Sequence, residues 1–305
     1  MKAIILTDQA AEMAGMKLAE RPEPQAGIND VVVQVYAAAM TGDEASWPST
    51  WVDRAGRDRT SSVPGHELAG VVTALGYGTT GLSLGQRVFG LTDWTRDGTL
   101  AEYVAVEARN LAPLPGDVDF TVGAALVMPG LTAWQGLFEH GRLRAGQTVL
   151  VHGAAGIVGS MAVQLARQAG AYVIGTGRAF HRQTALDFGA HDFFDLENNL
   201  LEDISEVDLV FDVFAGEIAK RSLGVVRAGG RLVTIAGPID ATAANTLVID
   251  FVVEPDRGQL TELIRQVRDG RLRTHIGNVV TLNDAVAAFN PAMRINGKTI
   301  IRVRP

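Results

Sequence analysis

Thr148-Val149-Leu150-Val151-His152-Gly153-Ala154-Ala155-Gly156-Ile157-Val158-Gly159 carries a short apolar strand through a glycine-rich turn into a helix. Each glycine answers a need that a side chain would obstruct. Gly153 permits the tight turn, Gly156 lets backbone approach a pyrophosphate, and Gly159 lets helix and strand pack closely. The free N–H groups and positive dipole end of the helix then face the anion. Ile157, Met161, Leu165 and Ala169 follow at i, i+4 spacing, Gly170 supplies the stop, and a second apolar strand begins at Tyr172. A glycine triplet can also serve a plain strand-to-helix turn. Its setting between two strands and an amphipathic helix makes dinucleotide binding the expectation.

The end of the second strand bears on which dinucleotide. An NAD site usually places Asp or Glu roughly 20 residues past the first glycine, on the ribose 2′-hydroxyl. Here the stretch is Ile174-Gly175-Thr176-Gly177-Arg178-Ala179-Phe180-His181-Arg182, with two arginines and no carboxylate. A guanidinium suits a 2′-phosphate because it is always charged and binds two oxygens at once. The other reading makes Arg178 and Arg182 solvated residues at the start of the next helix. NADPH is the expected cofactor.

Outward from this unit, strands Thr148–His152, Tyr172–Thr176, Phe193–Asp195, Asp208–Val213, Arg231–Ala236 and Leu247–Val253 alternate with helices. They read as a doubly wound parallel sheet, buried on both faces. Upstream, a helical stretch from about Val122 to His140 is interrupted at Pro129-Gly130. The first third instead shows strands Ala3–Leu6, Val31–Tyr36, Leu68–Leu75, Arg87–Gly90 and Ala101–Val106 between turn signals, an all-β texture. A tail helix, Leu260–Val267, precedes a last strand, Thr299–Val303, which needs a sheet to join. The expected lobes are 1–120 with 255–305, and a nucleotide lobe at 121–254.

Composition fits a soluble enzyme of this size. Of 305 residues, 47% are hydrophobic and 20% charged, with a net charge of −7. That charge, with no basic run, argues against nucleic acid and anionic membrane as partners. No apolar run approaches the roughly 18 residues of a membrane span, and the N-terminus lacks a signal-peptide core, so a cytoplasmic protein is expected. There is no cysteine, which removes disulfides and every thiolate zinc site. Pro64-Gly65-His66-Glu67 resembles the second segment of a zinc dehydrogenase site, but His66 and Glu67 supply at most two ligands where catalytic zinc takes three from protein. The simpler reading is a turn into the following strand, with Glu67 buried against a cation. No metal is expected.

Taken together these motifs resemble the medium-chain dehydrogenase/reductases, on the zinc-free branch with the quinone oxidoreductases of zeta-crystallin type. The markers are Pro64-Gly65-His66-Glu67 with Leu68-Ala69-Gly70-Val71-Val72, Ala101-Glu102-Tyr103-Val104, Leu131-Thr132-Ala133-Trp134, His152-Gly153-Ala154-Ala155-Gly156, Asp208-Leu209-Val210-Phe211-Asp212, Gly229-Gly230-Arg231-Leu232-Val233 and Gly297-Lys298. The resemblance implies an α/β chain with a GroES-like all-β catalytic domain, a Rossmann domain, a cleft between them and a homodimer. It implies that Gly153, Ala154, Ala155, Gly156, Ile157 and Val158 cradle the pyrophosphate. Thr176, Gly177 and Arg178 would surround the 2′-phosphate. Ala236, Gly237, Pro238, Phe251, Val252 and Val253 would border the nicotinamide, with Thr132 facing the cofactor and Lys298 near the cleft. Two departures stand out. Met40-Thr41-Gly42-Asp43 puts Met40 where zinc members have a ligand and Gly42 where they have a relay hydroxyl, and Leu196 replaces a tyrosine common near the adenosine phosphate.

The implied reaction is hydride transfer from NADPH to a small electrophile. Without a Lewis acid, quinones and α,β-unsaturated carbonyls are favoured because their developing charge is delocalised. Trp47, Trp51 and Trp94 are candidates to cover a flat substrate beside Met40, and His66 to donate to its oxygen; the other reading makes each a packing residue. The rival readings are a zinc-type alcohol dehydrogenase and a non-catalytic NADPH-binding sensor or structural protein.

Overall fold

The strand at Thr148–Val151 lies inside a six-stranded sheet whose pairings are all parallel. Its order is Asp192–Asp195, Tyr172–Gly177, Thr148–Val151, Val207–Asp212, Val226–Thr234, Leu247–Asp250. The chain runs outward from Thr148–Val151 to one edge, then returns to its other side and runs to the opposite edge. That reversal makes a switch point between Thr148–Val151 and Val207–Asp212, and a crevice outside the carboxyl ends of the two strands. The central strands bury nearly every residue, as both-face coverage requires.

The computed structural model describes residues 1–240, 246–290 and 295–305. The chain divides into two compact units. One comprises Met1–Met128, Pro255–Asp269 and Thr274–Pro305; the other comprises Pro129–Glu254 and Gly270–Arg273. The four residues Gly270–Arg273 join the second unit through Gln164, which donates to Arg273 O and accepts from Arg273 N–H, both at 3.0 Å.

The first unit is built on a sheet ordered Ile276–Thr281, Lys298–Arg302, Asp30–Ala39, Glu67–Leu75, Arg87–Leu91, Leu111–Pro113. Its long strand Asp30–Ala39 shares one edge between two partners. Tyr103–Glu107 takes its first half, and the terminal strand Lys298–Arg302 takes Ala37–Ala39. The core beneath includes Ile4, Leu6, Val31, Val33, Val35, Leu68, Val88, Leu100 and Trp51. Lys2–Leu6 and Met16–Glu20 form a separate antiparallel pair. Among the described residues no helix is long and apolar enough to cross a membrane.

Several elements differ from expectation. The helix Phe120–Trp134 runs through Pro129 without a break and passes directly into a π-helical segment, Gln135–His140. Proline removes one backbone bond and strains the preceding turn, at about 3 kcal/mol. Residues 123–133 are all buried, however, and packing outweighs that cost. Strands Met16–Glu20, Leu111–Pro113 and Ile276–Thr281 are additional to the expected set; each is short, and few of their residues are buried large apolar side chains. The sheet's last strand stops at Asp250, so Phe251–Val253 lie beyond it, and the preceding strand begins at Val226. Tyr103–Glu107 starts after Ala101, which makes only an isolated bridge to Ala3. The tail helix covers Arg257–Arg268, capped by Asp256, whose carboxylate accepts from Gln259 N–H at 2.8 Å.

Candidate functional site

At the switch point the three glycines have distinct geometries. Gly153 adopts φ +61°, and a β-carbon there would meet Val213 Cγ2 at 2.8 Å. Gly159 lies so close to the turn that a β-carbon would stand 2.1 Å from Gly153 O. Gly156 is the N-cap of the helix Ile157–Gln168, with ordinary φ −80° and ψ 179°. Its β-carbon would meet only Gly153 O, at 3.0 Å. The first two glycines are therefore required by the protein itself. Gly156 is spared a side chain for a different reason: its position opens onto the helix N-terminus. Ala154 and Ala155 are buried, while Ile157 and Val158 are half-buried.

Beneath the turn sits a polar network that sequence reasoning missed. His152 is fully buried, with Nδ1 2.7 Å from Thr176 Oγ1 and Nε2 2.7 Å from Ser222 Oγ. Burial pulls its pKa down to about 4, against a raising effect from Asp212, so the ring is neutral near pH 7. Ser222 spends its own proton on Ile218 O at 2.8 Å. Nε2–H therefore donates to Ser222, and Nδ1 accepts from the Thr176 hydroxyl. Asp212, also fully buried, accepts from Phe214 N–H, Ala215 N–H and the Thr234 hydroxyl. Two pairs of adjacent strand ends are thus tied by side chains, His152 to Thr176 and Asp212 to Thr234. The available clue was a histidine placed directly before Gly153.

Thr176 and Gly177 are buried at the end of their strand, and the Thr176 hydroxyl is committed to His152. Arg178 stands free of that packing at 66% exposure, with Nε 3.3 Å from a Glu197 carboxylate that is 63% exposed. Arg182 donates instead to Phe193 O at 2.9 Å. Leu196 donates its N–H to Gly177 O. Across the switch point, Ala236 and Pro238 are exposed beside Gly237, whose φ is +113°. Phe251 packs on His140 with centroids 4.4 Å apart, Val252 is exposed and Val253 buried. Thr132 is buried in the helix Phe120–Trp134.

The first unit gathers a second set of expected residues. Met40 is buried in its core. Trp51 is too, with its indole N–H donating to Ala45 O at 2.7 Å, so it packs in the interior. His66 is buried, with ring centroids 6.0 Å from Trp47 and 4.8 Å from Trp94, both of which are half-buried. Glu67 is completely buried, accepts from Met128 N–H at 3.0 Å and makes an ion pair with Lys298. Burial pushes the Glu67 carboxyl above its usual range, opposed by the Lys298 ammonium. Lys298, expected near a cofactor, has its charge turned into the protein.

Comparison with known proteins adds to this geometry. A family model described as alcohol dehydrogenase GroES-like domain matches residues 27–116, and one described as zinc-binding dehydrogenase matches residues 158–253. The quinone oxidoreductase of Homo sapiens is 33% identical over 229 residues, which cover 72% of this chain and 68% of that protein. The chain belongs to the medium-chain dehydrogenase/reductase family, with the quinone oxidoreductases. The quinone oxidoreductase of Rattus norvegicus is 29% identical over 297 residues, 91% of this chain and 88% of its own. The structure of the quinone oxidoreductase from Coxiella burnetii superposes with a TM-score of 0.91 at 26% identity, covering 100% of this chain and 99% of that one.

Since one matching model of the family is described as zinc-binding, the donors in this medium-chain dehydrogenase/reductase need weighing. Glu67 is committed to Lys298 and Met128. Glu44 is committed to Thr41 N–H, Gly65 N–H and His66 Nδ1. Met40 offers a thioether, a poor partner for Zn2+. Only His66 Nε2 remains of these groups, where zinc takes about four ligands. The residues present do not fit a zinc ion.

Proposed function

We propose that this oxidoreductase binds NADPH at the Gly153–Gly159 turn and reduces quinones or α,β-unsaturated carbonyl compounds without a metal. The observation that carries the reading is the helix N-terminus kept open at Gly156, at the switch point of the parallel sheet. The next strand end has no carboxylate and presents the exposed Arg178. Bound NADPH would supply a hydride, while the protein's part is to hold it and to orient the acceptor. The turn's backbone N–H groups are the donors for the pyrophosphate. Arg178 is the donor for the 2′-phosphate. Its contact with Glu197 is between two exposed side chains and is worth little, so a phosphate dianion displaces it readily.

Arg178→Ala is expected to shrink a preference for NADPH over NADH of at least about tenfold, or about 1.4 kcal/mol, mainly by weakening NADPH. Titration of the unmodified protein and the variant with both cofactors, followed by nicotinamide fluorescence, measures this. Equal affinity of the unmodified protein for the two cofactors would refute the assignment.

Independence from metal follows from the donor set around His66. The purified protein is expected to hold far less than one zinc per chain, and its reduction of 1,4-benzoquinone by NADPH to survive prolonged treatment with a strong chelator. Elemental analysis alongside the turnover assay decides the matter. Stoichiometric zinc whose removal abolishes turnover would overturn the mechanism.

A further inference from the structure

The carboxylate missing from the end of strand Tyr172–Gly177 is supplied by the neighbouring strand. Asp192–Asp195 lies parallel to it, with Asp195 opposite Gly177. The chain leaves that register in a tight turn held by its own polar groups. Leu196 N–H donates to Gly177 O at 2.9 Å, and the Asp195 carboxylate accepts from Glu197 N–H at 3.1 Å and from the Asn198 side-chain amide at 2.5 Å. Asp195 is therefore spent on the turn, and the Asn198 amide and Glu197 N–H hold its carboxyl below the usual range. Glu197 is the carboxylate left over. Its backbone is fixed by Asp195, its side chain is exposed, and its partner among the described residues is Arg178, with Nε 3.3 Å from the carboxylate. Two other basic side chains stand near this strand end. Arg182 is engaged by Phe193 O, and His181 is lowered in pKa by burial and by the Arg178 charge, so it is neutral near pH 7. Arg178 and Glu197 thus remain as opposite charges at one place, and Glu197 comes from far beyond the roughly 20-residue spacing at which an NAD-type carboxylate is sought.

We propose that Glu197 is a specificity-determining residue, facing the ribose 2′ position and offsetting the preference that Arg178 confers. The inference rests on the NADPH reading above. A 2′-phosphate held by Arg178 comes within reach of a like charge on Glu197. One pair of unit charges about 4 Å apart changes affinity about fivefold even in bulk water. A 2′-hydroxyl meets the opposite situation: it can donate to the carboxylate, as the ribose does at sites selective for NAD. The two recognition groups sit on adjacent strand ends of the same sheet, the guanidinium suited to the phosphate and the carboxylate to the hydroxyl. NADPH is preferred because the guanidinium binds a dianion, and NADH remains a weaker ligand of the same site because Glu197 is there to receive it.

The test is equilibrium binding and needs no turnover. NADPH and NADH are titrated, with nicotinamide fluorescence as the signal, into the unmodified protein, Glu197→Gln, Glu197→Asp, Arg178→Ala and the double variant Arg178→Ala with Glu197→Gln. Glu197→Gln keeps the size of the side chain and removes its charge. It is expected to tighten NADPH about threefold and to weaken NADH about twofold, so the preference for NADPH rises about sixfold. Glu197→Asp keeps the charge and should hold the preference within about twofold of the original. In the Arg178→Ala protein the change to glutamine should tighten NADPH further, about tenfold, because no guanidinium remains to offset the carboxylate. Displacement of NADPH by adenosine 2′,5′-bisphosphate and by adenosine 5′-monophosphate, which differ only in the 2′-phosphate, should follow the same pattern. A Glu197→Gln preference within about 1.5-fold of the original overturns the proposal. So does a gain that vanishes once Arg178 is alanine, which would make Glu197 a partner of the arginine alone. Failure of the unmodified protein to bind either NADPH or NADH overturns the parent reading instead.

Discussion

Gly156→Val is expected to raise the dissociation constant for NADPH more than about 100-fold, a loss of about 2.7 kcal/mol, while the protein stays folded. Two observations separate binding from folding at this position. The backbone of Gly156 lies in a region open to any residue, and an added β-carbon meets one carbonyl oxygen at 3.0 Å, a contact relieved by a small shift. The two remaining methyl groups of valine would occupy the space before the first N–H groups of the helix Ile157–Gln168, where a pyrophosphate must come. Gly159→Ala makes the contrast. Its β-carbon would stand 2.1 Å from Gly153 O, so that variant should damage the turn itself. Equilibrium binding with circular dichroism of both variants decides the point. A folded Gly156→Val protein that binds NADPH within threefold of the original would sink the cofactor assignment.

Lys298→Met is expected to destabilise the protein by about 3–5 kcal/mol, because it strands a fully buried carboxylate. For a unit of this size that corresponds to a fall of the melting temperature by about 10 °C. The Met128 N–H that Glu67 also accepts cannot replace a full charge. Glu67→Gln in the same chain should recover most of the loss, since an amide keeps the bond from Met128 and carries no charge to bury. Thermal and urea unfolding of the single and double variants measure the cycle. The same experiment separates two roles for the residue. A Lys298→Met protein of normal stability but weakened NADPH binding would show that the lysine serves the cofactor and not the core.

How much of this was legible beforehand depended on the range of the interaction involved. The strand–turn–helix at Thr148–Gly159 was legible because the left-handed φ of Gly153 and the close approach of Gly159 to Gly153 O are requirements of the local backbone. The parallel sheet followed from short β-branched runs separated by helical spacing, and the terminal strand's need for a host sheet followed from its solitude in the tail. Pro129 misled for a tertiary reason: a local rule against proline inside a helix lost to burial of the whole segment. Met16–Glu20 and Ile276–Thr281 were illegible because their inward positions carry too few apolar side chains: Met16 alone is buried in the first, and Asn278 interrupts the half-buried face of the second.

The candidate site divides along the same line. By itself the sequence determined that a glycine-rich turn opens the helix after Thr148–Val151, that Arg178 stands where a carboxylate might have stood, and that thiolate ligands are absent, since these are matters of residue identity and local backbone. Only the tertiary structure decided the partners of the polar side chains. It paired Lys298 with Glu67, gave Thr176 to His152, drew Trp51 into the core, and set Glu44 against His66 with Nε2 left over. The physical reason is that a buried charge or hydrogen-bonding group must be satisfied by whatever the fold brings to it, from any distance along the chain, and no local pattern records which group that will be.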